Sequence, residues 1–222
     1  MRVSAAWMAA ILVAVFCLNA QGQNSESKGA QNNEAKGMPP RATPGDYQAQ
    51  AKLGAVTLAA EFMGHSVPRP EGPLSTDDYV AVETGLFGPP GARIQLSIDD
   101  FSLRINGKKT PLPRQPYGLV ASSLKDPQWV PPEDTQSKKS KGGLSAGGQG
   151  DSSSTPAPVH VPIELQRAMA QYVQRSSLLE GDRALPQAGL IFFQYRGKAK
   201  SIHSVELIYS GPAGKATLAL QP

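Results

Sequence analysis

Cysteine is almost missing from this sequence: Cys17 is the only one in 222 residues, and it lies in the apolar N-terminal segment. If that segment is removed, the remaining chain has no thiol, so its folded state has to be stabilised by burial of apolar side chains alone. Burial is sufficient at this size, because a domain of about 150 residues buries roughly two thirds of the surface that its unfolded chain exposes. We therefore expect a substantial apolar core.

Motifs of common catalytic and nucleotide-binding sites are also missing. The sequence has no Gly-x-Ser-x-Gly elbow, no phosphate-binding loop and no EF-hand loop. Histidine is scarce, and His65, His160 and His203 are not at metal-ligand spacing from one another or from cysteine. We assign each of them a structural or solvent-exposed role, and we predict no catalytic residue, no cofactor and no enzymatic activity.

The charge is mildly positive, and its distribution argues against nucleic-acid binding. The formal net charge is +4, but Lys138, Lys139 and Lys141 lie together in a Gly/Ser-rich stretch. Nucleic-acid binders more often place basic residues on a structured face with aromatic residues between them. We interpret the lysine cluster as part of a solvated loop.

The first 22 residues have the layout of a secretory signal peptide. Arg2 supplies a positive charge, residues 5–18 form an apolar stretch, and Ala20 and Gly22 are small residues at a spacing compatible with cleavage. We expect cleavage in this region and a secreted or periplasmic protein without stable membrane insertion after cleavage.

Two alternatives to a cleaved leader remain open. An uncleaved leader would tether the protein to the membrane, although the apolar stretch is shorter than the roughly 20 residues that span a bilayer. Lipidation of Cys17 is the second alternative, and the bulky Phe16 immediately before it argues against that processing.

Composition divides the rest of the chain. Residues 23–50 are polar and nearly free of branched apolar residues, which predicts a flexible linker. Residues 51–222 are expected to form one domain. A low-complexity stretch at about 131–160 predicts a disordered insertion in that domain, and apolar residues at helical spacing in 162–179 predict an amphipathic helix that packs on its own sheet rather than on a partner.

Alternation of apolar and polar residues predicts a series of short strands separated by Gly/Pro turns. The predicted strands cover 55–67, 79–87, 92–98, 101–105, 108–112, 117–124, 188–195, 204–209 and 215–221. Such a series indicates a mainly β fold, an antiparallel β-sandwich. Its predicted core consists of Val80, Val82, Ile94, Leu96, Phe101, Leu103, Leu190, Phe192, Leu207, Leu218 and Leu220.

Two adjacent carboxylate pairs are weak candidates for a metal site. Asp77-Asp78 and Asp99-Asp100 come at strand ends, and calcium takes carboxylate and carbonyl oxygens as ligands. Aspartate also favours turns for local hydrogen-bonding reasons, which is the interpretation we favour. A calcium-dependent binder or a hydrolase, with a site assembled only in three dimensions from these pairs and His65 or His203, stays open as an alternative.

Four strand motifs together resemble one bacterial family. They are YVAVE at 79–83, IDDFSL at 98–103 with NGK at 106–108, GLIFF at 189–193 and SVELIY at 204–209. The pattern is similar to the immunoglobulin-like, telokin-like extracellular domains of unknown function, which share a sandwich with a mycobacterial immunoprotective secreted antigen. About half of the chain carries the resemblance, while Gly85 to Gly88 and the helix at 162–179 depart from it.

The resemblance implies an immunoglobulin-like sandwich with one inserted helix, and it supplies no catalytic residues. Combined with the leader, it predicts an exported, non-catalytic module that binds a protein or a cell-envelope partner. The sequence leaves the oligomeric state and the strand order open.

Overall fold

The computed structural model describes residues 37–130 and 161–222, and within these ranges the fold is mainly β with two helices. The strands are β1 (Ala49–Leu53), β2 (Val56–Gly64), β3 (Ser66–Val67), β4 (Leu74–Thr76), β5 (Tyr79–Phe87), β6 (Arg93–Leu96), β7 (Phe101–Ile105), β8 (Leu112–Gln115), β9 (Leu124–Lys125), β10 (Gly181–Ala184), β11 (Gln187–Gln194), β12 (Val205–Gly211) and β13 (Gly214–Leu220). The helices are α1 (Tyr117–Ala121) and α2 (Ile163–Ser176).

Eight antiparallel strands form the main sheet in the order β1-β2-β5-β11-β8-β7-β12-β13. The two ends of this order lie side by side, and Gln48 Nε2 donates a hydrogen bond to the carbonyl oxygen of Gln221 at 3.4 Å. Smaller sheets, β6 with β10 and β4 between β3 and β9, complete the arrangement. The prediction of a mainly β fold of antiparallel strands is confirmed, and the sheets form a sandwich-like or barrel-like arrangement.

One face of the main sheet encloses the larger core. The ladders bring Leu103 opposite Leu207, and Leu207 opposite Leu218, so the inward residues of β7, β12 and β13 meet. Phe101 and Tyr209 pack with their rings 5.1 Å apart. Every residue of the predicted core is buried. The sequence could identify these residues because the alternation of side chains along a strand is a local property.

A second core lies on the opposite face of β5 and β11. Val80, Val82, Ile191 and Phe193 face the first core. The alternate residues Ala81, Leu190 and Phe192 face the second, where they meet Met169 and Val173 of α2. The apolar stripe of α2 therefore packs on its own sheet, as the sequence predicted, and the two central strands separate the two cores.

The strands predicted at 79–87 and 101–105 match β5 and β7 residue for residue. The prediction of a strand at 117–124 is wrong. Pro116, which has no backbone N–H, occupies the N-cap position of α1, and the following five residues form a helix whose one buried side chain is Val120. This segment buries only Val120 and so presents no alternating face to a sheet. Packing of that one side chain, and not the strand propensity of the residues, determined its structure.

The return strand predicted at 108–112 begins later than expected. Asn106 and Gly107 have φ values of 54° and 64°, as the predicted Asn-Gly turn requires, and the Lys108 N–H donates to the Ile105 carbonyl at 3.3 Å. Pairing with β7 resumes only where Leu112 lies opposite Leu103. The loop is therefore longer than a tight hairpin.

The predicted flexible linker extends too far toward the C-terminus. The structure includes residues 37–50 in the fold, whereas residues 23–36 lie outside the described part of the chain, as do the predicted leader and the 131–160 insertion. Arg41 accounts for the difference, since its guanidinium pairs with Glu61 and with the buried Glu83. Tyr47 is buried in the same region.

A nearly buried ion pair connects the loop after β3 to the segment after β9. Arg69 Nη2 donates to Asp126 Oδ2 at 2.6 Å, and Arg69 Nε donates to the Gly72 carbonyl at 2.6 Å. The hydrogen bond from Arg69 lowers the pKa of the Asp126 carboxyl. Since the folded pKa lies below the unfolded value of about 3.9, this stabilisation is present above that value and is lost as the pH falls through the folded pKa.

Replacing Asp126 with asparagine should therefore reduce stability at neutral pH and not in acid. We expect the free energy of unfolding at pH 7 to fall by about 1.5–3 kcal/mol, the range for a hydrogen bond to a charged group, and the difference from wild type to shrink as the pH falls below about 3.9 toward the folded pKa of Asp126. Urea unfolding at both pH values measures it. Asp182→Asn, in the exposed pair with Arg93, is the control, and equal behaviour of the two variants would contradict the prediction.

Candidate functional site

A pocket of about 330 Å³ lies where β8, the start of α1, the end of α2 and β11 converge. We call it the Arg114 pocket. Its walls comprise Arg114, Gln115, Pro116, Tyr117, Gln174, Ser177, Leu178, Leu179, Glu180, Arg183, Leu190 and Phe192. The volume falls at the lower end of the range for small-ligand sites, about 300–1,000 Å³.

The end of α2 shapes one wall of the pocket. The Ser177 hydroxyl and backbone N–H both donate to the Val173 carbonyl, at 2.6 and 3.0 Å, which terminates the helix. The chain then runs alongside β11, where Leu178 N–H donates to the Leu190 carbonyl at 2.9 Å. This extended stretch turns the Leu178 carbonyl toward β8.

Strand β8 supplies the charged group. Its last residues pair with β11, with Arg114 opposite Phe193 and Gln115 opposite Phe192. The Arg114 side chain is only 6% exposed, and its Nη2 donates to the Leu178 carbonyl at 2.5 Å. Its Nη1 is buried without a hydrogen-bond partner.

The charge of Arg114 is only partly compensated. The nearest carboxylate oxygen, Glu180 Oε1, lies 4.0 Å from Nη2 on a side chain that is half exposed. Burial lowers the pKa of the Arg114 guanidinium, and the carboxylates of Glu180 and Asp100 act in the opposite direction. Arginine nevertheless stays charged in proteins. A buried donor without an acceptor costs about 1–3 kcal/mol, and more when it is charged. An acceptor for Arg114 Nη1 would therefore be stabilising.

Arg114 also borders a second, smaller pocket of about 240 Å³ between β7 and β8. Asp99, one of the predicted metal candidates, lines that pocket together with Ile98 and Phe101. The Asp100 carboxylate instead accepts a hydrogen bond from Ser97 N–H at 2.8 Å and closes the turn between β6 and β7. The favoured interpretation of this acid pair as a turn element is thus confirmed for Asp100.

The other acid pair lies at the junction of β4 and β5 and makes ion pairs. Asp77 pairs with Lys125, which lowers the pKa of the Asp77 carboxyl. Asp78 Oδ1 lies 3.0 Å from Arg196 Nε. In residues 37–130 and 161–222, no three side chains of His, Cys, Asp or Glu come together in a way that would hold a metal ion.

Of the three histidines, two lie in the described part of the chain and both connect loops. His65 Nδ1 lies 2.9 Å from the Thr76 carbonyl, and its Nε2 lies 2.8 Å from the Gly197 carbonyl. The His203 backbone N–H donates to Asn106 Oδ1 at 2.7 Å. His160 lies outside the described residues, as do Ala20 and Gly22 of the predicted cleavage region.

Sequence reasoning missed the Arg114 pocket. Arg114 falls just after the predicted return strand, between Pro113 and Pro116, where an arginine suggests an exposed turn. Its pairing with β11 and its contact with the Leu178 carbonyl, both far away in sequence, bury it. The remaining signal, a lone arginine flanked by prolines, is too common to have identified a site.

Comparisons with known proteins add no relative to this description. No family model matches the chain, and neither a curated protein nor a solved structure matches it. As for membrane insertion, neither α1 nor α2 is long and apolar enough to cross a bilayer, and no other helix in the described ranges is.

Proposed function

We propose that this chain is an exported, non-catalytic immunoglobulin-like domain that serves as an interaction module for a protein partner at the cell envelope or outside the cell. One observation carries the proposal. Three large apolar side chains are exposed on the two helices, which lie against each other: Tyr117 is 42% exposed, Leu119 51% and Ile163 51%. We call these three side chains the helical patch.

The helical patch has the chemistry of a binding surface. Tyrosine and other large apolar residues are enriched where proteins meet, and exposed apolar side chains on a layer that already covers a core are not needed for that core. Tyr117 also borders the Arg114 pocket. Patch and pocket therefore share a residue, and one partner can engage both.

The immunoglobulin-like affiliation is supported by how the four family-like motifs pair. The strand carrying YVAVE pairs with the GLIFF strand, so that Val82 lies opposite Ile191. The strand carrying DFSL pairs with the ELIY strand, so that Phe101 lies opposite Tyr209. Export is supported by the signal-like N-terminal segment.

The non-catalytic part of the proposal is supported by the contacts of the residues considered for catalysis or metal binding. Asp77 and Asp78 are engaged by Lys125 and Arg196. Asp100 closes a turn, and His65 bridges two loops. These contacts explain the residues by their structural roles.

Photo-crosslinking in the cells that make the protein tests this function. A benzoyl-phenylalanine at position 119 should give one discrete adduct, whereas the same group at Ala219, exposed on β13, should not. Adding Tyr117→Ser to the position-119 protein should reduce the adduct about tenfold, because truncating an aromatic anchor commonly costs 1–2 kcal/mol of binding energy.

Equal adduct patterns from positions 119 and 219, or no adduct from 119, would count against the interaction module. The intact mass of the crosslinking protein serves as the check on export. A chain that starts near Gln21 or Gln23 supports cleavage, and a mass that still includes residues 2–18 would contradict it.

A further inference from the structure

The Arg114 pocket contains a positive charge that the rest of the protein leaves incompletely satisfied. Of the two terminal nitrogens of Arg114, Nη2 has the Leu178 carbonyl and Nη1 has no acceptor. The side chain is 6% exposed, so bulk water does not replace the missing partner at low cost. An anionic ligand oxygen would supply both the acceptor and the counter-charge.

Electrostatics favours the Arg114 pocket over the smaller pocket that Arg114 also borders. The smaller pocket carries the Asp99 carboxylate, which repels an anion. In the Arg114 pocket the nearest acid to Arg114 is Glu180, whose Oε1 lies 4.0 Å from Nη2 on a half-exposed side chain. The single, incompletely paired charge of Arg114 suits a monoanion, whereas a phosphate dianion would bring a second negative charge beside Glu180.

The remaining walls select an apolar body for the ligand. Leu178, Leu190 and Phe192 line the pocket, and the exposed ring of Tyr117 stands at its border with the helical patch. Small-ligand sites combine such apolar walls with a few polar groups that orient the ligand, and a planar guanidinium matches the two oxygens of a carboxylate.

We propose that the Arg114 pocket binds a carboxylate carried on an apolar group, with the carboxylate on Arg114 and the apolar group among Leu178, Leu190 and Phe192. This inference deepens the proposed interaction module and rests on it. The same chemistry is offered by a free organic acid and by the C-terminal residue of a partner polypeptide, and the test separates these two sources.

Calorimetric titration of the exported chain with two nearly isosteric probes tests the charge requirement. N-acetyl-phenylalanine should bind, and N-acetyl-phenylalanine amide, which has no carboxylate, should bind at least tenfold more weakly. The Arg114→Met variant should bind N-acetyl-phenylalanine at least tenfold more weakly than the wild-type protein does. Arg196→Met removes one positive charge from an exposed ion pair and should leave binding unchanged.

Equal binding of acid and amide would overturn the proposal, as would an Arg114→Met variant that binds like wild type, or no binding by either probe. If Arg114→Met does not fold, the comparison of acid with amide on the wild-type protein still decides. We expect it to fold at least as stably as wild type, because replacing a poorly paired buried charge by an apolar side chain is often neutral or stabilising.

Two further probes distinguish the sources. Tenfold tighter binding of N-acetyl-alanyl-phenylalanine than of 4-phenylbutyrate supports a polypeptide C-terminus, and the reverse order supports a free acid. The position-119 crosslink is independent of these titrations. A crosslink that persists in Arg114→Met, together with equal binding of acid and amide, would retain the interaction module and reject the carboxylate.

Discussion

Replacing Arg41 with methionine should lower the free energy of unfolding by about 3 kcal/mol, the lower end of the cost of removing one partner from a buried ion pair, because Glu83 is buried while the Arg41 side chain is itself 30% exposed. Arg41 contacts Glu83 in a bidentate manner, with Nε 2.9 Å from Oε1 and Nη2 2.6 Å from Oε2. Glu83 lies on the central strand β5 and is 6% exposed. Without Arg41, its charge would remain in the core with no cation against it.

Arg41 makes further contacts with the residues around it. Its Nη1 also donates to Glu61 Oε2 at 2.5 Å and to the Asp46 carbonyl at 2.6 Å, and its guanidinium lies 4.6 Å from the centre of the Tyr47 ring. The hydrogen bond to Glu83 raises the pKa of the guanidinium. Residues 41–47 are thereby held against β2 and β5.

Urea unfolding of matched variants measures the Arg41 prediction. Arg104→Met removes the arginine from the more exposed pair with Glu206 and should cost no more than about 1 kcal/mol. Adding Glu83→Gln to Arg41→Met should recover part of the loss, since a neutral amide is cheaper to bury than a carboxylate. Similar losses for Arg41→Met and Arg104→Met would show that Glu83 does not depend on Arg41.

Replacing Gly189 with alanine should cost about 3 kcal/mol or more. A Cβ at this position of β11 would overlap the backbone N and Cα of Leu178 and would lie 2.7 Å from the carbonyl carbon of Ser177. Those atoms belong to the stretch that pairs with Leu190, so the backbone itself has to move. Overpacking of a tight interior costs about 1–3 kcal/mol, and more where the neighbours cannot shift.

Gly118→Ala is the matched control for this substitution. A Cβ at Gly118 has no neighbour within 4 Å, and Gly118 lies in α1, where alanine is favoured over glycine by up to about 1 kcal/mol. The two variants should therefore change the free energy of unfolding in opposite directions in urea titrations. If Gly189→Ala proves as stable as Gly118→Ala, the close contact between β11 and the Ser177–Leu178 stretch does not exist in solution.

Alternation predicted the inner half of this fold because it depends only on neighbours in the chain. Phe101, Leu103 and Ile105 share one face of β7 because they alternate with polar residues, and this holds whichever strand β7 pairs with. The short helix α1 lacks such a signal, because five residues with one buried side chain have no period to detect. Element type there was decided by Val120, which joins the second core.

Charged residues were the least predictable part. Arg41 falls in a polar stretch that suggests a linker, and its partner Glu83 alternates with valines in a strand that suggests an exposed carboxylate. Arg114 likewise depends on pairing with Phe193, 79 residues further along the chain. The roles of these charged residues depend on contacts between residues that are distant in sequence, so the candidate site could not be predicted. Most of the core could be predicted because it depends on local alternation.

The position of β5 between two cores also limits how this sequence can evolve. All eight residues from Tyr79 to Leu86 are buried, so this strand has no side that tolerates the free exchange of polar residues found on a solvated face. An acceptable change on one side has to suit the first core. A change on the other side has to suit the second core at Tyr79 and Ala81, and Arg41 or Tyr47 at Glu83 and Gly85. Drift should therefore accumulate in β12 and β13, where every other residue faces outward, while β5 changes only together with partners on both sides.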